Sequence, residues 1–378
     1  LFYQHVDTEI RFDGIDNFRA GLADRVYYGN AISNNEADIA EAFEYAINYV
    51  YLQDEWQVND RLTVTYGLRY DYYETDDEPN LNPAFLASYG FGNNDTLDGR
   101  DLLQPRFGAT YDFSDQLSFR GGIGLFSGGN PNVWLSNTYS NTNTTAVQAR
   151  IDGMDLFAQN YVNCEEGVPV CGPGYGVPQE IADVVAAGDG SNFEIVYLDP
   201  DFDIPSEWKY TAGLTWYAPM DVTVTADVQV SRGEDTAVYK RGDLERTGTN
   251  DLGYPIYESV REPSFVLTNS SKGTESESIA FSAFKSWDNG LDLRLGYAYT
   301  EAKDPNPMTS SVAFSNYANR AFFDPQADEL APYLARAFKD DEGGPPAEKK
   351  AKGLNMTVRQ TRLVEQLEKR LEEQPRRS

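Results

Sequence analysis

Few residues in this chain could do covalent chemistry. Its single histidine is His5, and its two cysteines, Cys164 and Cys171, share the Gly- and Pro-rich stretch NCEEGVPVC. A structural zinc site takes about four ligands, and no second Cys or His pair exists. A local disulfide between Cys164 and Cys171 is expected, which implies an oxidising compartment. The plainer alternative is two reduced loop thiols. No Ser/His/Asp or Cys/His arrangement can be assembled. Gly-rich runs such as GGNPN follow strands without opening a helix, so they lack the context of a phosphate loop. The chain is read as a non-enzyme.

Oxygen ligands are more plentiful. DDEPN at 76–80 and NNDTLDGRD at 93–101 could hold calcium. Their D-x-x-D-G-x-D spacing is not that of an EF-hand, which needs more ligands and a distal Glu. Solvated acidic loops are the plainer reading, and no other cofactor is expected. The formal net charge is −29, which argues against nucleic acid as a partner.

The elements that must position these groups are strands. From Ala46 the chain repeats one unit four times: strand, short turn, strand, long polar loop. In LTVTYGLRYDYYE, Leu62, Val64, Tyr66, Leu68, Tyr70 and Tyr72 point one way and Thr63, Thr65, Gly67, Arg69 and Asp71 the other, the period-two mark of a strand with one apolar face. Directly opposed residues in a hairpin share a face. A three-residue loop pairs Val58 with Leu62, Phe113 with Leu117, Ala218 with Val222 and Trp287 with Leu291, apolar with apolar each time. Such loops use a left-handed residue, for which Asp60, Asn289 and Gly290 are suitable types. Before Ala46 the reading is looser: IRFDGIDNF and RVYYGN look extended, NNEADIAEAFEY forms a loop or helical turn, and one or two further strands are expected.

Short turns at one end and long loops at the other (75–104, 127–207 and 241–276) are the pattern of a transmembrane β-barrel. A soluble β-sandwich also alternates. It does not explain Trp56, Tyr70, Tyr72, Trp208, Trp216, Trp287, Tyr297 and Tyr299 near strand ends on the apolar face, where interfacial girdles belong. The fold class is therefore all-β: a partial antiparallel transmembrane β-barrel, about 8–10 strands of a larger one, with a short C-terminal helical tail. The opposite faces carry Arg69, Asp71, Arg120, Asp227 and Arg294 among Gly and Thr, the lumen-facing candidates. These arginines could contact an anionic substrate or plug carboxylates, or pair with lumen aspartates. Lys285 lies on the lipid face one position from a turn and can snorkel. Asp54, opposite Tyr66 on that face, has no evident partner in the sequence.

QDEWQVNDRLTVTYGLRYDYYE, PRFGATYDFSDQLSFRGGIGLFSG with NPNVWLSN, and NYANRAFFDPQ resemble segments of TonB-dependent outer-membrane receptors, especially the Oar-like group that bears a carboxypeptidase regulatory domain. The resemblance covers 1–326. It implies an active importer in the bacterial outer membrane that takes up a bulky extracellular substrate of unknown identity. A plug filling the barrel would couple to TonB, and membrane lipid would surround the wall. The chain opens already inside barrel strands, so plug and TonB box are expected to lie outside it. The alternative is a passive porin or an adhesin-type barrel. Residues 327–378 read as an unrelated linker and an amphipathic helix carrying Val364, Leu367 and Leu371.

Overall fold

The computed structural model describes residues 8–332, other than 40, 130, 164–174, 189–194, 252, 306–307, 319–323, 325 and 327–330. Cys164 and Cys171, His5 and the tail helix lie outside the described residues. The frame is one antiparallel sheet: β1 (Ala46–Asn59), β2 (Leu62–Glu74), β3 (Asp101–Ser114), β4 (Leu117–Ser127), β5 (Ser206–Ala218), β6 (Val222–Glu234), β7 (Glu275–Ser286), β8 (Asp292–Asp304) and the two-residue β9 (Ala331–Pro332). They pair in that sequence order. Among the described residues the sheet does not close, leaving β1 and β9 as its edges.

The four hairpin registers follow the alternation. Trp56 faces Val64, Tyr111 faces Phe119, Ala218 faces Val222 and Ser286 faces Asp292. At the first two turns a bulge falls just before the turn, so Asn59 meets Leu62 and Ser114 meets Leu117. The turn chemistry departs from expectation. Gly290 is left-handed, but so are Met220 and Asp221, while Asp60 and Asn289 are not. Asn289 acts through its side chain, whose Oδ1 accepts the Leu291 N–H at 3.0 Å. Asn59 Oδ1 likewise accepts the N–H groups of Arg61 and Leu62 at 2.9 and 3.1 Å, an amide standing in for the turn's backbone.

Register carries the faces across the whole sheet. Tyr66, Phe107, Ile123, Tyr210 and Val230 form one continuous cross-strand row on the apolar side. These side chains stay exposed: Leu52 keeps 78% of its surface and Val50 68%, the inverse of a soluble core. Above the apolar band a charged row begins, with Arg232 paired to Glu277 and Lys303 3.7 Å from Glu301. Asp54 now has an account: Tyr66 donates its hydroxyl to Asp54 Oδ2 at 2.9 Å across the strand pair. Lys285 reaches down to the neighbouring turn, donating to the Met220 carbonyl at 2.7 Å beside the Trp287 ring. No described helix is long and apolar enough to cross a membrane.

All long connections leave from the end opposite these turns. They build a cap of short sheets and helices. One sheet joins Ile195–Leu198, Ala237–Arg241 and Ser264–Asn269. A second joins Thr8–Arg11, Leu22–Ala31 and Ala146–Asp155. The strands before Ala46 therefore pair in the cap and add nothing to the wall. Within IRFDGIDNF the strand stops at Arg11 and a helix, Ile15–Ala20, follows, ended by left-handed Gly21. Local signals explain other cap helices. At Pro83–Tyr89, Asn82 Oδ1 accepts the N–H groups of Ala84 and Phe85, and Pro83 occupies a position with no helical N–H to lose. The cap has its own core, in which Tyr73 from the top of β2 packs with Leu135, Leu198, Phe202, Tyr239 and Leu267.

Candidate functional site

Arg69, Asp71, Gln104, Arg106, Arg120, Asp227 and Arg294 sit where strand parity puts them, on the face opposite the apolar band. Two clusters result. At the cap end, Arg69 Nε donates to Asp71 Oδ1 at 2.7 Å, and Gln104 Nε2 donates to Asp71 Oδ2 at 2.8 Å. Gln104 Oε1 in turn accepts from Arg106 Nη2 and from the Ser127 N–H, both at 3.2 Å. Aromatic rings flank the two cations on the outer strands: Arg69 lies 4.2 Å over Tyr49 of β1, and Arg106 lies 4.4 Å over Phe126 of β4. Asp71 and Gln104 are buried, and charge-assisted bonds of this kind hold buried carboxylates. Arg106 Nε is buried without a hydrogen-bond partner.

Towards the turn end, Arg120 Nη2 pairs with Asp227 Oδ1, and its Nη1 donates to Thr215 Oγ1 at 2.9 Å. Arg120 and Asp227 are on β4 and β6, and the residue between them on β5 is Gly213. A Cβ there would sit 2.5 Å from Asp227 Oδ1 and 2.9 Å from Arg120 Nε. The glycine is the gap through which the guanidinium crosses a strand. Around the pair, Thr65, Gly108, Thr110 and Thr211 line an open, shallow hollow.

The five candidates thus share one face but form two ion pairs, Arg69–Asp71 and Arg120–Asp227. Arg294 joins neither and packs 5.3 Å over Phe284. Sequence reasoning passed over Gln104 and Arg106, although they alternate with Leu103, Pro105 and Phe107 in β3 and were readable by parity. Gly213 gave no signal of its own.

In the cap, two arginines fix the loops. Arg100 Nη1 donates to the Phe202 carbonyl, while Nη2 reaches the Pro200 carbonyl at 2.9 Å and Asp95 Oδ2 at 3.1 Å. Arg241 grips Asp243 with both arms, Nε to Oδ1 at 2.7 Å and Nη2 to Oδ2 at 2.8 Å. Burial of Asp243 opposes its ionisation, but the bonds from Arg241 and Ser259 outweigh it and hold the carboxyl below its ordinary range. The two acidic runs meet through amides, Asn94 Nδ2 donating to Glu78 Oε2 at 3.0 Å and Asn93 Nδ2 to the Asn80 carbonyl at 3.1 Å, while their aspartates go to separate partners. Asp98 Oδ1 accepts the Thr75 N–H at 3.0 Å, Asp77 Oδ2 accepts the Glu44 N–H at 2.7 Å, and Asp101 Oδ2 accepts the Tyr70 hydroxyl at 2.7 Å. Among the described residues no group of three or more His, Cys, Asp or Glu side chains is placed to hold a metal.

A model of the family described as outer membrane beta barrel domain matches residues 4–331. The chain belongs to that family, and its wall lies in the bacterial outer membrane with the exposed apolar face against lipid. No curated protein matches the sequence. Among solved structures it is similar to the siderophore receptor PirA from Pseudomonas aeruginosa, with 11% identity over 76% of this chain and 43% of that one, TM-score 0.35. It is similar also to the FrpB iron transporter from Neisseria meningitidis, with 12% identity over 74% of this chain and 32% of that one, TM-score 0.37. PirA from Acinetobacter baumannii gives 12% identity over 76% and 34%, TM-score 0.39. The chain spans less than half the length of each of these structures.

Proposed function

We propose that the chain is part of the wall and the cap of a TonB-dependent receptor of the Oar-like group, a non-catalytic importer of a bulky substrate. The observation that carries this reading is the combination of one sheet, with a lipid-type face and a charged opposite face, and a cap with its own packed core. A porin needs a polar face too, but its passage is served by open space. Here Arg69, Asp71, Gln104 and Arg106 form a connected layer flanked by Tyr49 and Phe126, directly beneath a cap with its own core. In this proposal Arg69, Asp71, Arg120, Asp227 and Arg294 face a lumen whose filling is supplied outside the described strands. TonB is engaged through that plug, and the wall runs on past residue 326 to the two-residue strand Ala331–Pro332. An open sheet edge in lipid leaves backbone groups unpaired at several kcal/mol each, a rough figure, so further strands must complete the barrel.

The receptor as it occurs in the outer membrane is the material to test, in planar bilayers and in cells with and without TonB. A filled, TonB-driven importer gives no steady conductance and concentrates its substrate only in TonB-positive cells. Steady ion conductance together with TonB-independent passage would sink the proposal and favour the passive porin.

A further inference from the structure

The cap sheet of Thr8–Arg11, Leu22–Ala31 and Ala146–Asp155 is covered on one side only. Val26, Tyr28, Val147 and Ala149 pack there against Ile181 and Val185 of the helix Gln179–Ala186. On the other side the register sets Arg11 directly opposite Arg25, Arg25 opposite Asp152, and Tyr27 between Glu9 and Arg150. The three guanidinium carbons lie 5.6, 5.7 and 6.0 Å from the centre of the Tyr27 ring.

An ordinary surface ion-pair network does not account for this arrangement. Like charges directly opposed on a sheet repel, yet Arg11 and Arg25 are cross-strand partners. The carboxylates are also outnumbered. Glu9 takes Arg11 at 2.6 Å, while the single Asp152 serves Arg25 Nε at 2.9 Å and both Nε and Nη2 of Arg150 at 3.0 and 2.8 Å, and Arg25 Nη1 donates to the Tyr27 hydroxyl at 3.2 Å. One positive charge is left over on an exposed platform of a chain whose net charge is −29. A phenol ring beneath clustered cations further holds them in place. Guanidinium forks fit oxyanions bidentately.

We infer that this face of the cap binds a multivalent phosphate that displaces Asp152 from the forks of Arg25 and Arg150 and Glu9 from Arg11, the third donor. The inference does not depend on the transport reading. Phosphate of this kind occurs both on lipid headgroups and on soluble compounds, and the platform lies on the long-loop side of the wall where either could reach it.

The receptor as it occurs in the outer membrane, solubilised in detergent, is titrated calorimetrically with tripolyphosphate. Saturable binding is expected, weakened at least ~10-fold in Arg25→Ala and in Arg150→Ala through loss of a charge-assisted fork. Glu9→Gln should tighten binding several-fold by freeing Arg11, roughly the gain from removing a competing surface carboxylate. Arg246→Ala, on the separate cap hairpin of Leu244–Thr249 and Pro255–Ser259, should leave it unchanged. Should Arg25→Ala lose its far-ultraviolet strand signal, Arg25→Lys keeps the charge without the fork and should still weaken binding. A second arm mixes the protein with phosphatidylcholine vesicles with and without phosphatidic acid. Capture by the acidic vesicles identifies a headgroup as the source, and binding of free tripolyphosphate alone identifies a soluble one. Absence of saturable binding, or equal loss on removing Arg246 and Arg25, overturns the inference.

Discussion

In the wall, Leu214 is 43% exposed and stands in the middle of the sheet; in the cap, Phe202 is 0% exposed, on a segment with no regular strand. The wall is built by backbone pairing in register, and its apolar groups are buried by lipid, a solvent that flows into any gap. The cap stands in water and must bury its own side chains, which it does with chain segments distant in sequence. Loss of a side chain therefore has different consequences in the two regions. A wall residue loses only its transfer free energy, whereas a cap residue leaves a cavity that nothing fills.

Deleting side chains tests that difference directly. Phe202→Ala should cost about 3–5 kcal/mol and expose the cap to limited proteolysis while the wall remains folded. Leu214→Ala should cost about 2 kcal/mol or less, near the transfer value of the missing groups, with no change in the cap's digestion pattern. Denaturant titration in lipid vesicles with paired proteolysis reads both. Equal costs would mean that the cap core is not packed independently of the wall.

Arg100 sharpens the comparison to a single staple. Its guanidinium ties the loop at 95–100 to carbonyls at Pro200 and Phe202. Arg100→Met should cost roughly 2–3 kcal/mol, the range for hydrogen bonds to a charged group, and hydrogen exchange should rise at 195–204 before it rises in β3. Exchange confined to the wall would show that the staple is not what holds the loop.

Gly213→Val adds volume in the wall without removing a charge. The new side chain takes the space through which Arg120 reaches Asp227, so overpacking of about 1–3 kcal/mol is expected. Asp227→Asn in the Gly213→Val background should then add little, whereas on its own it should cost more. Full additivity in this double-mutant cycle would show that the ion pair survives the valine.

The same contrast decides what could be read from the sequence. The registers along the strands and the two faces were legible because alternation fixes parity, and parity fixes which residues meet. The turn pairs Val58–Leu62 and Phe113–Leu117 were not, because a bulge gives Leu62 to Asn59 and Leu117 to Ser114. Asp54 was illegible only because its partner, Tyr66, contributes a hydroxyl from what parity marks as an apolar row. Turn chemistry was half legible: Asn289 was the right residue in the wrong role, accepting from Leu291 rather than adopting a left-handed backbone. The cap was almost wholly hidden. Arg100 meets Phe202 across 102 positions of sequence, and no local period announces such a contact. The early strands carried enough pattern to be seen as extended, but nothing in them said that their partner was Ala146–Asp155.

The smallest expected effect is the response of the cap to acid, where two aspartates work in opposite senses. Asp152, between Arg150 and Arg25, is pushed down from 3.8 to about 2. Its stabilising contribution is present above the unfolded value and is lost as pH falls through about 2. Asp95 is raised instead, chiefly by burial and also by Asp199 and Asp201, against the opposing pull of the Thr96 N–H and Arg100. Its ionised form is a burden at neutral pH, and that burden is relieved as pH falls from above its folded value to its unfolded one. Asp152→Asn should therefore flatten the low-pH loss of cap stability, measured by tryptophan fluorescence from Trp134. Asp95→Asn should remove the gain that precedes that loss. If both variants shift the acid profile in the same direction, the assignment of Asp95 to a burial-dominated site fails. If neither does, the cap's acid sensitivity resides in other carboxylates, and the contrast between an electrostatically stapled cap and a register-built wall loses its pH signature.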